Sequence, residues 1–156
     1  MHIYSCSHKQ VKNSLNSSLE TMFQTLQKLQ IPLPVWLTIR AGIATVSNVN
    51  HKRPTITSPA LRAKTDIAYE AQTKIGWRNF LKGRGLTQWG DIMQDHYDKF
   101  HSSNCTYSRE HFQATLIAGV WKTYDSLWKL CSALLQDPKH LPSLSDIELN
   151  KRIRRY

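Results

Sequence analysis

Apolar residues recur at helical spacing through most of the chain, and no segment alternates apolar and polar residues with the period of a strand. A first helix is predicted over residues 9–30, because its apolar side chains are spaced to share one face. They are Val11, Leu15, Leu19, Met22, Phe23 and Leu26. Pro32 and Pro34 end this helix, and Pro34 suits the first turn of a second helix that runs through Trp36 to Val46.

Residues 47–57 show no periodicity and are predicted to form a loop. Ser58 and Pro59 then indicate the start of a third helix, because serine caps helix N-termini and proline suits the first helical position. We expect this helix to carry an apolar stripe. The stripe consists of Ile67, Ala68, Ala71 and Ile75.

Gly76 lies where the third helix must change direction. At about 100° per residue, Lys74, Arg78 and Lys82 would fall on the apolar face of a straight helix. Burying three unpaired cations is costly, and glycine is the poorest helix former after proline. We therefore predict a kink at Gly76 that keeps the three basic side chains in solvent.

Two further helices follow a turn at Gly83 and Gly85. One begins near Thr87, and its predicted apolar face consists of Trp89, Ile92, Met93, His96, Tyr97 and Phe100. The other covers residues 109–136, and apolar side chains fill about half of its cylinder. They are Phe112, Leu116, Ile117, Val120, Trp121, Tyr124, Leu127, Trp128, Leu130, Cys131, Leu134 and Leu135. So wide a face predicts that the 109–136 helix is central to the core.

Pro138 and Pro142 indicate a loop over residues 137–144. Ser145 and Glu148 then form a capping box for a terminal helix over residues 145–156, which we expect to be truncated by the chain end. The complete pattern predicts one all-α domain over residues 1–156, folded as a bundle of five to six helices. A chain of 156 residues can bury a core without needing a disulfide or a metal.

Positive charge is concentrated in the first part of the chain. Residues 1–90 contain 12 Lys and Arg against 3 Asp and Glu, whereas residues 91–150 contain 5 against 8. The last six residues add four cations, and the formal net charge is +10. This asymmetry favours RNA or DNA as a partner, because Lys and Arg neutralise phosphates and release counterions. A bias toward solubility is the alternative explanation.

The best candidates for phosphate contacts surround the glycines. They are Lys74, Arg78, Lys82 and Arg84, close in sequence to Trp77 and Trp89. Basic side chains can hold a nucleic-acid backbone while aromatic rings stack on bases. Alternatively, both tryptophans belong to the core and the basic residues are only solvated. A second candidate is the basic tail, Lys151, Arg152, Arg154 and Arg155, which is either an electrostatic arm or the polar end of the terminal helix.

Two clusters resemble catalytic or metal sites but lack the necessary pattern. The possible metal ligands are not spaced as in zinc motifs: His96, His101, Cys105 and His111. Asp91, Asp95 and Asp98, with Glu110, form an acidic cluster, but the three aspartates lie on a predicted solvent face and no nucleophile or general base accompanies them. We therefore predict no metal, no cofactor and no enzymatic activity, with a metal-dependent nuclease as the weakest alternative.

Cysteine use and hydropathy bear on the compartment. Cys6, Cys105 and Cys131 lie far apart, which fits reduced thiols in an intracellular protein of the nucleus or cytoplasm. The most apolar run, residues 31–46, contains two prolines and Arg40 and is too short to span a bilayer. We expect no membrane partner.

The segment from Gln72 to Trp89 resembles a block, Q-x-x-I-G-W-x-x-F-x-x-G-R, in uncharacterised eukaryotic open reading frames. Those frames lie beside, or are fused to, reverse-transcriptase-type retroelements. A segment similar to Val120–Trp128 follows in that group, and then a basic helix that ends in tyrosine, as Ile153–Tyr156 does here. The chain departs from the group where Gly-Arg-x-Ser becomes Gly83-Arg84-Gly85-Leu86-Thr87. The resemblance implies an accessory domain associated with a retroelement, and other retroelement proteins as possible partners.

Together, these features predict a non-catalytic accessory domain that binds nucleic acid through a basic patch. The alternative is a protein-interaction or scaffold module of a larger polyprotein that binds no nucleic acid.

Overall fold

The computed structural model describes residues 9–46, 52–100 and 107–136, and six α-helices and no strand occur among them. The helices are α1 (Lys9–Gln27), α2 (Leu33–Val46), α3 (Pro59–Ile75), α4 (Trp77–Phe80), α5 (Gln88–Phe100) and α6 (Arg109–Gln136). The predicted all-α bundle is thereby confirmed. Residues 47–51 of the first predicted loop, the 137–144 loop and the 145–156 helix lie outside the described residues.

The helix ends follow the signals in the sequence. The chain turns after α1 at Gln30, which has a φ of 58°, and Pro32 then accepts a hydrogen bond from the Val35 amide at 2.9 Å as α2 begins. Ser58 caps α3, because its hydroxyl oxygen accepts from the Leu61 amide at 3.4 Å, and Pro59 occupies the first helical position.

The most extensive contact between two helices joins α1 and α6, and α5 also packs against α6. The predicted apolar stripe of α1 is buried. Its buried residues are Val11, Leu15, Leu19, Met22 and Leu26. Gly119 lets the two helices approach closely, because a Cβ at that position would lie 2.6 Å from Cγ of Met22.

The width predicted for the apolar face of α6 is wrong. The side chains of α6 that are buried form one narrow stripe: Phe112, Leu116, Val120, Thr123, Leu127 and Cys131. By contrast, Trp121, Tyr124 and Trp128 are 62%, 40% and 45% exposed. The physical reason is that the main partners of α6 are α1 and α5, and contacts on that side cover only part of the cylinder.

The apolar stripe predicted for α3 is only partly right. Ala68 is buried as expected, but Ile67 and Ile75 are 62% and 41% exposed. The inward face instead contains Thr65 and Gln72, whose polar atoms find partners inside the protein. Hydrophobicity alone does not identify such a face, because buried polar groups are stable only when remote residues satisfy them.

The prediction that Phe100 lies on the buried apolar face of α5 is also wrong. Phe100 is 72% exposed at the end of the helix, whereas Trp89, Ile92, Met93 and Tyr97 of the same face are buried. Phe100 is the last residue of α5, and its ring contacts that of His96 on the same helix, with centroids 4.9 Å apart.

Three tryptophans form the centre of the core. Trp36, Trp77 and Trp89 are 1%, 4% and 0% exposed. Trp77 lies directly on Gly42 of α2, where a Cβ would overlap the indole ring. Its Nε1 donates to the Thr73 hydroxyl at 3.0 Å, so its polar atom is satisfied. Trp77 therefore fixes α4 against α2 and α3.

Candidate functional site

Gly76 separates α3 from α4, as predicted. Its φ of 96° and ψ of 131° are not helical, and its amide donates to the Gln72 carbonyl at 2.8 Å as α3 ends. The side-chain amide of Asn79 donates to the Ile75 carbonyl at 2.7 Å, which satisfies one of the last carbonyls of α3. The change of direction buries Trp77 and leaves Arg78 exposed.

The turn after α4 is held from two sides. Gly83, at a φ of 85°, donates to the Phe80 carbonyl at 2.9 Å, and the Arg84 amide donates to the Asn79 carbonyl at 3.0 Å. The buried side chain of Gln72 donates to the Arg84 carbonyl at 3.4 Å and accepts from the Leu86 amide at 3.1 Å. From α6, Gln113 donates to the Leu86 carbonyl at 3.2 Å. The turn is thus fixed to α3 and to α6.

Four basic side chains lie along the end of α3, α4 and the turn that follows. We call them the basic surface: Lys74, Arg78, Lys82 and Arg84. All four are exposed, and none forms an ion pair with a carboxylate among the described residues. Elsewhere Arg53, Lys64 and Arg109 each contact an aspartate. The basic surface therefore presents four cations within one segment of eleven residues, and no ion pair holds any of them in the part of the chain that the structure describes.

The two tryptophans that the sequence brings near the basic surface do not belong to it. Trp77 and Trp89 are buried, and their ring centroids lie 6.2 Å apart inside the core. Of the two interpretations of these residues, the architectural one is confirmed. The basic tail at Lys151, Arg152, Arg154 and Arg155 lies outside the described residues.

A different set of aromatic residues adjoins the basic surface, and we call it the aromatic ladder: Trp121, Tyr124 and Trp128 of α6. Their spacing of three and four residues places them on one face of the helix. The rings of Tyr124 and Trp128 stack, with centroids 6.5 Å apart and planes 16° from parallel. These rings form an exposed apolar strip along α6.

Gly83 joins the ladder to the basic surface. A Cβ at Gly83 would fall on the indole nitrogen of Trp121, so this glycine is required for the ring to lie over the turn as well as for the positive φ. Trp121 is therefore in contact with the segment that displays Lys82 and Arg84. The ladder and the basic surface are contiguous.

Sequence reasoning missed the aromatic ladder because it assigned these rings to the core. A signal was present: one stripe of α6 residues at helical spacing already suffices to pack against a neighbouring helix. Three more aromatic rings on a second stripe exceed what that contact needs.

The acidic residues near α5 are occupied by partners within the protein. Arg109 donates to Asp91 and to Glu110, each at 2.8 Å, and Lys64 forms an ion pair with Asp95. The hydrogen bond from Arg109 is the main reason that the pKa of Glu110 lies below its usual value of 4.5. This acidic side of α5 is a set of surface ion pairs, as the prediction of a solvated face implies.

No group of three or more histidine, cysteine or acidic side chains is placed to hold a metal ion within the described residues. His101 and Cys105, two of the possible ligands, lie outside them.

A shallow cleft of about 610 Å³ runs between α1 and α6. Most of its lining consists of small or hydroxyl-bearing side chains, and its two charged side chains are Lys122 and Asp125. Asp125 accepts a hydrogen bond from Lys129, one helical turn farther along α6, at 2.7 Å.

Comparison of the chain with protein-family models, with curated proteins and with solved structures gives no match.

Across the described ranges, no helix has both the length and the apolar character that crossing a bilayer requires.

Proposed function

We propose that this protein is a non-catalytic accessory domain that binds RNA or DNA through the basic surface. The observation that carries the proposal is the display of four exposed cations, without carboxylate partners among the described residues, at the end of α3, on α4 and on the following turn that Gln72 holds. Such cations gain from binding phosphates, because each contact releases condensed counterions. A turn already held in place also loses little conformational freedom on binding.

The retroelement context is proposed from the resemblance of the block between Gln72 and Trp89. Members of that block build the turn: Gln72 holds its backbone, Trp77 anchors α4 and Gly83 admits the ring of Trp121. The block therefore makes physical sense as a unit that positions cations. The tail residues Lys151, Arg152, Arg154 and Arg155 are proposed to add phosphate contacts, and other retroelement proteins are further proposed partners.

A protein-interaction or scaffold role in a larger polyprotein is the second candidate. The observation that favours it is the aromatic ladder, since contiguous exposed apolar surface commonly forms binding sites for other proteins. The four adjoining cations, which form no ion pairs within the described ranges, favour a polyanion as the partner.

The test compares two variants of the full chain that lose the same charge. One combines Lys74→Gln, Arg78→Gln and Lys82→Gln, and the control combines Lys9→Gln, Lys12→Gln and Lys28→Gln on or just after α1. Binding of labelled single-stranded RNA and duplex DNA at low salt is measured by fluorescence anisotropy. We expect the first variant to bind at least about tenfold more weakly than wild type, and the control to bind within about twofold.

Equal losses in the two variants would show that net charge alone attracts the polyanion. Absence of binding by the wild-type protein at low salt would refute the proposed function.

A further inference from the structure

We infer that the aromatic ladder and the adjoining part of the basic surface form one binding platform for single-stranded nucleic acid. Bases stack on Trp121 and Trp128, the two exposed tryptophans of the ladder, while phosphates lie at Lys82 and Arg84. This inference rests on the proposed function, because it specifies the class of nucleic acid that the same surface selects.

The first step is the exposure of the rings. Trp121 is 62% and Trp128 45% exposed, whereas the other three tryptophans of the chain are buried in the core. Exposing indole rings to water is unfavourable, since the burial of apolar area stabilises proteins by roughly 25 cal/mol per Å². A ligand that covers these rings therefore gains free energy that the isolated protein does not obtain.

The second step is the spacing. Trp121 and Trp128 are seven residues apart on α6, which is about 10 Å along the helix axis. In a stacked strand each nucleotide advances roughly 3.4 Å along the strand axis, so the ladder spans about three nucleotides. The ring planes of Tyr124 and Trp128 lie 16° from parallel with their centroids 6.5 Å apart, so the two rings are aligned with each other along the ladder.

The third step is the charge at one end of the ladder. Trp121 lies over Gly83, and the neighbouring side chains of Lys82 and Arg84 are exposed without carboxylate partners among the described residues. A strand whose bases stack on Trp121 brings its phosphates near these cations. Aromatic rings beside cations are the combination by which proteins bind single strands without sequence preference.

The fourth step distinguishes single strands from duplexes. In a duplex each base is already stacked on its neighbours, so only phosphates are available to the protein. In a single strand every base offers a ring face, and stacking on an aromatic side chain contributes to affinity. The ladder therefore adds affinity for single strands and none for duplexes.

The test uses the full chain with Trp121→Ala and Trp128→Ala as separate variants. Phe100→Ala is the matched control, because Phe100 is an aromatic residue that is 72% exposed on α5. The probes are oligo(U), oligo(dT) and a blunt-ended duplex without unpaired bases. Each tryptophan variant is expected to bind the two single strands roughly five- to a hundredfold more weakly, with duplex binding within about twofold of wild type. The control is expected to bind all three probes as wild type does.

Two further readouts separate stacking from a structural role. Trp128→Phe keeps an aromatic face and is expected to recover most of the affinity that Trp128→Ala loses. Single strands are also expected to quench the fluorescence of wild type, and to quench the double variant Trp121→Ala/Trp128→Ala much less. Trp121→Ala also removes the contact with Gly83, so thermal unfolding of this variant shows whether the turn is disturbed. Trp128→Ala leaves that contact in place, so its loss of affinity reports on stacking alone.

The outcomes distinguish the inference from the proposed function. If wild type binds both single strands and duplex, and the tryptophan variants bind single strands equally well, the stacking platform is refuted while the proposed function stands. If wild type binds none of the probes at low salt, both fail, and a protein partner becomes the better explanation of the ladder.

Discussion

Gln72 shows how much of the site depends on one side chain. It is completely buried, and its amide bonds to the backbone of Arg84 and Leu86, twelve and fourteen residues away. An apolar residue of similar size would remove both hydrogen bonds, and each such bond contributes about 0.5–1.5 kcal/mol to stability. The same amide therefore stabilises the fold and holds the turn that displays Lys82 and Arg84.

Gly76 provides a prediction at the scale of one residue. Its φ of 96° with ψ of 131° is strained for any residue with a Cβ, yet the nearest side-chain atom to an added Cβ would be 3.7 Å away, on Asn79. Gly76→Ala is therefore expected to lower the free energy of unfolding by roughly 1–3 kcal/mol through backbone strain alone. Denaturant unfolding measures the change.

Gly85→Ala is the matched control for that prediction. Its φ lies outside the left-handed region, and an added Cβ would make ordinary contact with Phe80 at 3.5 Å. We expect a change within about 0.5 kcal/mol. Equal stability of the two alanine variants would mean that α3 and α4 are not separated by the strained conformation described here.

At the scale of the helices, the sequence pattern predicted approximately where the longer helices begin and end. It also predicted most of the residues that are buried on α1 and α5. Local signals were sufficient there, because a cap, a proline or a glycine acts on its own neighbours. The inward face of α3 was not predictable in this way, since Thr65 and Gln72 are buried with partners that only the folded chain supplies. The exposed face of α6 was missed for the converse reason: periodicity marks apolar residues but does not show whether a partner covers them.

The contact between α5 and α6 gives a prediction at this scale. Arg109 bridges Asp91 and Glu110, and its hydrogen bond is the main cause that lowers the pKa of Glu110. Arg109→Ala is expected to raise the pKa of Glu110 toward its usual 4.5, as measured by NMR titration. Lys129→Ala removes the same charge from α6 farther along the helix and is expected to leave that pKa unchanged.

The sign of the pH dependence follows from the direction of the shift. A carboxyl group whose pKa is lowered by folding contributes stability above its unfolded pKa, and that contribution is lost as pH falls through the folded pKa. As pH falls through the pKa of Glu110, wild type should therefore lose a small part of its stability. Arg109→Ala lacks this contribution from the start and should lose less. An identical Glu110 titration in both proteins would contradict the role given to Arg109.

At the scale of the whole molecule, the packing of the helices buries the core tryptophans and Gln72 and leaves the cations and the aromatic ladder exposed to solvent. Trp77 packs on Gly42, and buried Gln72 holds the turn after α4. The cations of the basic surface and the rings of the aromatic ladder are exposed. The charge asymmetry in the sequence predicted the cations. The contact of Gly83, which lies between two of these cations, with Trp121 of the ladder was not predictable, because it joins residues nearly forty positions apart.

The salt dependence of binding tests the central claim most directly. The logarithm of the binding constant for a short oligonucleotide is measured against the logarithm of KCl concentration, for wild type and for the Lys74→Gln/Arg78→Gln/Lys82→Gln variant. If these three side chains contact phosphates, the magnitude of the slope should fall by roughly 2 to 3, since each contact contributes about 0.7 to 0.9. The Lys9→Gln/Lys12→Gln/Lys28→Gln control should keep the wild-type slope. Parallel lines for wild type and the first variant would contradict phosphate binding at the basic surface.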